Sequence, residues 1–187
     1  ALKLSTVSKY GVKIPKNLGK DYTVSLWVKL DSTIAGNSPI VFAGNANPQK
    51  WVAISGANGT NTCKVWTKGD DPYKWATVEE LNVPAKWTML TLSQMGENLS
   101  IYRDGELVGE GFATEAMDSA DAYVQLGVSY WSGDATINGL VDDVNLYDSA
   151  LGAAQVKSLY LSSLSAEQTA DWLEVKGEND SLNCVTE

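Results

Sequence analysis

Seven tryptophans and eight tyrosines stand against two phenylalanines in this chain, a balance that favours rings carrying a polar handle. Such side chains suit surfaces that are partly wet. Two groups of them lie on polar, turn-forming sequence. Trp66-Thr-Lys-Gly-Asp-Asp-Pro-Tyr-Lys-Trp75 crowds two tryptophans and a tyrosine around a Gly-Asp-Asp-Pro turn, and Tyr130-Trp-Ser-Gly-Asp134 forms the second group. A pyranose ring has an apolar C–H face and a rim of hydroxyls, so its recognition needs a flat aromatic beside a carboxylate, amide or guanidinium. Aromatics on turn sequence have little core to bury into and are expected at the surface. These residues point to binding of a neutral glycan through Trp66, Tyr73, Trp75, Tyr130 and Trp131, with Asp70, Asp71 or Asp134 accepting hydroxyl hydrogen bonds. The alternative is a pair of loops pinned down by their own aromatics. Trp51 with Asn45, Asn47 and Gln49 makes a third group, and Trp27 shares a strand face with Thr23, Ser25 and Lys29.

Other chemistry is excluded by what is missing. The chain has no histidine, which removes the serine–histidine triad, the papain-type pair and every histidine-bearing zinc site. Two carboxylates about 5–10 Å apart can hydrolyse a glycosidic bond, so carboxylate chemistry is the remaining catalytic option. Asp142 and Asp143 are adjacent, however, and regular strand geometry sends neighbours to opposite faces. The net charge is −9 with acidic residues dispersed along the chain. Phosphate binding draws its affinity from lysine and arginine, so no nucleic-acid partner is expected. No apolar run approaches the length of a bilayer span, and no membrane insertion is expected. Cys63 and Cys184 are open to pairing or to remaining thiols, and Asn58, Asn98 and Asn179 begin glycosylation-type sequons.

The elements that must position these residues are mostly strands. A chain of 187 residues fits one domain that buries roughly 70% of its unfolded surface. From Tyr22 to Leu30, Val24, Leu26, Val28 and Leu30 alternate with Thr23, Ser25, Trp27 and Lys29, which reads as a half-buried strand. Short strands follow around Ile40–Ala43, Trp51–Ser55, Lys64–Thr67, Trp87–Ser93, Ser100–Arg103, Tyr123–Gly127 and Leu140–Tyr147. Gly, Asn, Asp and Pro clusters separate them, as in an all-β sandwich. Asp104-Gly105 lies between two runs of apolar alternation and supplies the positive φ angles of a type I′ hairpin turn. Near Ser149 the period changes from strand to helix, with Gly152 as N-cap and Gln155 three residues on. Asp142 has the strand parity of Val144 and Leu146. That parity would bury a carboxylate, which is costly unless it is paired or coordinates a metal.

Four landmarks carry a resemblance: Tyr22-Thr-Val-Ser-Leu-Trp27, the Trp87-led strand, the hairpin ending in Tyr102 and Asp104-Gly105, and the closing strand and helix from Gly139 to Tyr160. In this order they resemble laminin-G-like domains of the concanavalin A-like lectin/glucanase superfamily over residues 1–162. The resemblance implies a two-sheet antiparallel jelly-roll-like β-sandwich with a short C-terminal helix, followed over 163–187 by a helix or linker and a polar tail. Trp87 and Tyr102 match framework positions, and Ala1–Leu4 resembles a strand that relatives reach after an earlier segment. It implies a structural calcium near Asp142, held by carboxylate and backbone oxygens. Its glucanases share a Glu-x-Asp-x-x-Glu strand, whereas here Glu178-Asn-Asp180 is the only Glu-x-Asp and lacks the third glutamate. The implied function is a non-catalytic, monomeric carbohydrate-binding module linked to further domains, anchoring a secreted or cell-surface glycosidase or adhesin to glycans. A protein-binding adhesive domain, a β-sandwich glycoside hydrolase and a structural spacer are the alternatives.

Overall fold

The computed structural model describes residues 1–4, 11–30, 39–44, 51–56, 62–68, 81–82, 86–112, 117–128, 133–134 and 136–164, with side chains of 55–56, 62–68 and 81–82 outside that description. Twelve strands and one helix follow in chain order among them. They are β1 (Leu2–Leu4), β2 (Val12–Pro15), β3 (Tyr22–Leu30), β4 (Pro39–Gly44), β5 (Trp51–Gly56), β6 (Thr62–Lys68), β7 (Leu81–Asn82), β8 (Thr88–Met95), β9 (Asn98–Arg103), β10 (Glu106–Phe112), β11 (Tyr123–Leu126), β12 (Gly139–Tyr147) and α1 (Ala153–Ser163). Two six-stranded sheets result: sheet A in the order β1-β12-β3-β8-β9-β10, and sheet B in the order β2-β11-β4-β5-β6-β7. Every pairing is antiparallel. The fold is a jelly-roll-like β-sandwich.

The core lies between the sheets and follows from strand alternation. Val24, Leu26, Val28, Leu90, Leu92, Leu99 and Ile101 of sheet A meet Ile40, Val52, Ile54, Val124 and Leu126 of sheet B, all buried. Each such side chain contributes about 1.5–3 kcal/mol when fully buried. β3 is buried on both faces, with only Lys29 partly exposed, which corrects the half-buried reading. The reason is α1, whose Val156 and Tyr160 pack with Trp27, Met89 and Tyr102 on the outer face of sheet A.

The docking of α1 is specified by hydroxyls as well as rings. Trp27 and Tyr160 stack with centroids 5.8 Å apart, and Trp27 Nε1–H donates to Ser163 Oγ at 3.2 Å. Beside them, Thr23 Oγ1 donates to the Ser149 carbonyl and accepts the Leu151 N–H, both at 2.9 Å. Ser93 Oγ donates to the Leu151 carbonyl at 2.8 Å. Helix entry is completed by Gln155 Oε1, which accepts the Gly152 N–H at 3.0 Å. At the far side, the β9–β10 turn has φ of 51° at Asp104 and 77° at Gly105, the type I′ signature. A side chain at Gly105 would place its Cβ 2.9 Å from Cβ of Tyr160, so glycine is needed there for the helix contact as well as for the turn.

β12 departs from regular geometry. Asp142 pairs with Trp27 but Asn145 pairs with Ser25, so Asp143 and Val144 together oppose Leu26. This is a β-bulge, with Asp143 at φ 44°, a left-handed conformation that Asp tolerates better than most residues. One extra residue reverses the facing on either side of it. Val141 is buried in the core, and Val144 and Leu146 pack against it. Asp142 consequently lies on the opposite, outer face with Trp27. The expectation that strand parity buries its carboxylate beside Val144 and Leu146 is therefore overturned.

Candidate functional site

The outer face of sheet B carries an aromatic floor. In the ladder, Tyr123 of β11 and Trp51 of β5 both pair with Gly44 of β4, which brings no side chain to that row. Phe42, one row along on the same face, fills the gap. Its ring lies 5.9 Å from Trp51 and 5.9 Å from Tyr123, with interplanar angles of 23° and 25°. All three rings are at most 6% exposed. Trp51 is thus a floor residue and not an open platform, and Asn45, Asn47 and Gln49 lie outside the described residues. At the β2 edge, Lys13 Nζ sits 3.8 Å above the Tyr123 ring, a cation–π contact. An open pocket of about 260 Å³ adjoins it, lined by Lys13, Lys16, Asn17, Asp121 and Tyr123 among others. It offers hydroxyl donors and acceptors beside an aromatic edge. Lys13 escaped sequence reasoning because β2 holds only two alternating apolar residues before Pro15, and Tyr123 was legible only as the start of a strand.

The strand registers show how the aromatic clusters of the sequence relate to this face. Trp66 pairs with Ala53 and Lys68 with Trp51, so β6 passes into residue 69 at the end of the sheet marked by Trp51, Gly44 and Tyr123. β11 ends at Leu126, opposite Val41, at the other end. Three residues along the strands, about 10 Å at the usual rise, and three strand spacings across the sheet, about 14 Å, separate these ends. Of the predicted sugar contacts, Trp66 is described in its backbone only. Asp70, Asp71, Tyr73, Trp75, Tyr130 and Trp131 lie outside the described residues. Asp134 is half-buried in a bend that leads to buried Thr136 and Ile137.

Asp142 belongs to a different place. With Asp143, Trp27, Trp87 and Ser163 it lines a pocket of about 150 Å³ beside α1. Its Oδ1 accepts the Asp143 N–H at 3.0 Å, and Oδ2 lies 3.2 Å from the Ala1 amine. These partners, the Asp143 N–H foremost, hold its carboxyl below the usual range. A calcium ion takes six to eight oxygens. Among the described residues no group of three carboxylate, thiol or imidazole side chains surrounds a common point, so of the expected calcium ligands those residues include Asp142 alone. The two aspartates share one pocket, so their exclusion as a carboxylate pair by opposite facing also fails. Pockets for drug-sized ligands run to about 300–1,000 Å³, and this one is smaller.

Trp27, Trp87 and Tyr102 all belong to the cluster under α1, which makes them framework. Cys63 is described in its backbone only. Cys184, Trp172 and the tail over 165–187 lie outside the described residues, as do the Asn58 and Asn179 sequons.

Comparison with known proteins agrees with this architecture. Among curated protein sequences none matches the chain. Similar solved structures include domain 4 of AbnA, a GH43 extracellular arabinanase from Geobacillus stearothermophilus, in complex with arabinotriose. It is 26% identical, with TM-score 0.66, over 80% of this chain and 72% of that one. The Ruminococcus gnavus IT-sialidase CBM40 bound to α2,3 sialyllactose is 15% identical with TM-score 0.60, over 81% of this chain and 97% of that one. A SAP-like pentraxin from Limulus polyphemus is 16% identical with TM-score 0.60, over 80% and 75%. A laminin-G family model described as the concanavalin A-like lectin/glucanases superfamily matches residues 8–157. With its two facing antiparallel sheets and the closing helix packed outside one of them, the chain belongs to the concanavalin A-like lectin/glucanases superfamily.

Proposed function

We propose that this domain is a non-catalytic module that binds a neutral glycan across the outer face of sheet B and holds a linked secreted or cell-surface glycosidase or adhesin at its substrate. The observation that carries the reading is the layout of that face. β6, which bears Trp66, and β11 pass at opposite ends of one aromatic floor into the segments holding Tyr73 and Trp75, and Tyr130 and Trp131. The strand ends from which those segments leave lie about 17 Å apart on the diagonal, given a strand rise of about 3.3 Å and a strand spacing of about 4.8 Å, a span that a sugar chain of several residues covers. The likeness to the arabinanase domain solved with arabinotriose supports a glycan as ligand. The absence of histidine from the sequence and the small size of the Asp142 pocket favour binding without catalysis. Linkage to an enzyme would raise the local concentration of its active site at the polymer.

The test is retention on a neutral glycan array, with arabinotriose included, for the wild type, Trp75→Ala and Trp131→Ala. Loss of retention with an unchanged Tm is expected for both variants. Normal binding by both would move the site elsewhere. A wild type that retains no glycan and hydrolyses none would leave the protein-binding alternative in its place.

A further inference from the structure

α1 covers only part of the outer face of sheet A. Past the connector Ala150–Gly152, parts of two cross-strand rows stay uncovered. In one, Ser100 and Glu110 of β9 and β10 continue from Ser93 of β8, which the connector covers, and the next joins Met95, Asn98 and Phe112. With the connector as a wall, they form an open groove of about 510 Å³. That is within the usual range for small-ligand sites. It lies on the opposite side of the sandwich from the sheet B face.

Its chemistry is selective. Phe112 and Met95 are 65% and 62% exposed, and they stand at either side of Asn98 with a polar floor in the adjoining row. Two apolar side chains separated by an amide do not make the contiguous apolar patch that marks a protein contact. The side chains of Asn98, Ser100 and Glu110 are engaged in no hydrogen bond or ion pair among the described residues. An amide, a hydroxyl and a carboxylate with unspent capacity, next to an exposed ring, complement the hydroxyl rim and C–H face of a sugar. Among the described lining residues Glu110 is the only acidic or basic side chain, which disfavours anionic sugars.

We propose that this groove is a second binding site for a neutral oligosaccharide, with Phe112 as the stacking ring and Asn98, Ser100 and Glu110 as hydrogen-bonding partners. A domain with sites on both faces bridges two glycan strands instead of holding one. The site stands independently of the one on sheet B.

The experiment is amide chemical-shift titration of the ¹⁵N-labelled protein with arabinotriose, xylotriose and maltotriose in turn. At least one probe is expected to shift the Asn98, Ser100 and Glu110 amides saturably. Phe112→Ala should weaken that titration by about threefold to tenfold, the worth of one aromatic contact, while Phe112→Trp restores it. Phe112 is exposed at the end of an edge strand, and an unchanged Tm checks that both variants fold. Trp75→Ala and Trp131→Ala should leave the groove titration untouched, which separates failure of this site from failure of the other. No saturable shift with any probe, an equal titration in Phe112→Ala, or shifts only with an amphipathic peptide would each overturn the proposal.

Discussion

Asp142 stands directly opposite Trp27 in the β12–β3 ladder, on the outer face of sheet A, one residue before a bulge that returns Val144 and Leu146 to the core. A carboxylate at that position is half-exposed and accepts the Asp143 N–H, not buried beside Val144 and Leu146.

Metal removal should therefore be indifferent to this residue. The change in Tm on adding EDTA is expected to be the same for the wild type and Asp142→Asn. A fall in the wild type that is reversed by calcium and missing from the variant would restore a calcium site at Asp142.

Tyr22 is the opposite case, a polar group with too little company. It is wholly buried, and its hydroxyl has no hydrogen-bond partner among the described residues. Burial pushes its pKa well above the usual phenol value. An unsatisfied buried hydroxyl costs about 1–3 kcal/mol, so Tyr22→Phe should raise stability at pH 7 by about 1 kcal/mol in denaturant unfolding. The sign in alkali follows from linkage. Above about pH 10 the unfolded chain loses this proton while the folded chain keeps it, so wild-type stability falls by up to about 1.4 kcal/mol per pH unit. Tyr22→Phe lacks that contribution, and the gap between the two proteins should widen from pH 9 to 11. A constant gap would mean that the hydroxyl ionises in the fold.

Thr23 should be far less replaceable than its small size suggests. Its hydroxyl serves both the Ser149 carbonyl and the Leu151 N–H, and Thr23→Val keeps the shape while stranding both. The expected loss is about 2 kcal/mol, a drop of roughly 4–8 °C in Tm for a domain of this size. A loss below about 0.5 kcal/mol would mean that water replaces the hydroxyl.

Much of the framework was legible because it depends on local chemistry. Asp104-Gly105 specified its turn, and the alternation of Val24, Leu26 and Val28 specified the inward face of β3. What escaped depends on neighbours distant in sequence. Thr23 and Ser25 read as the open face of a half-buried strand because nothing in β3 announces that a helix some 130 residues later will lie over it; the Trp27–Ser163 hydrogen bond spans 136 positions. The bulge escaped because Asp143 is sterically able to enter the left-handed region yet no pattern obliges it to. At the candidate site, the clusters at 66–75 and 130–134 were visible as composition, but the floor of Phe42, Trp51 and Tyr123 was not. Its rings come from three strands and meet because Gly44 brings no side chain between Trp51 and Tyr123.

The two hydroxyls that hold the connector, Thr23 and Ser93, come from β3 and β8, which lie opposite each other in the ladder. Neither strand alone can seat residues 149–151. The seating of the connector consequently depends on the register of the two central strands. A slip by one residue at β3–β8 would put Thr23 and Ser93 on opposite faces of the sheet, and the connector would keep only one of its two hydroxyl partners.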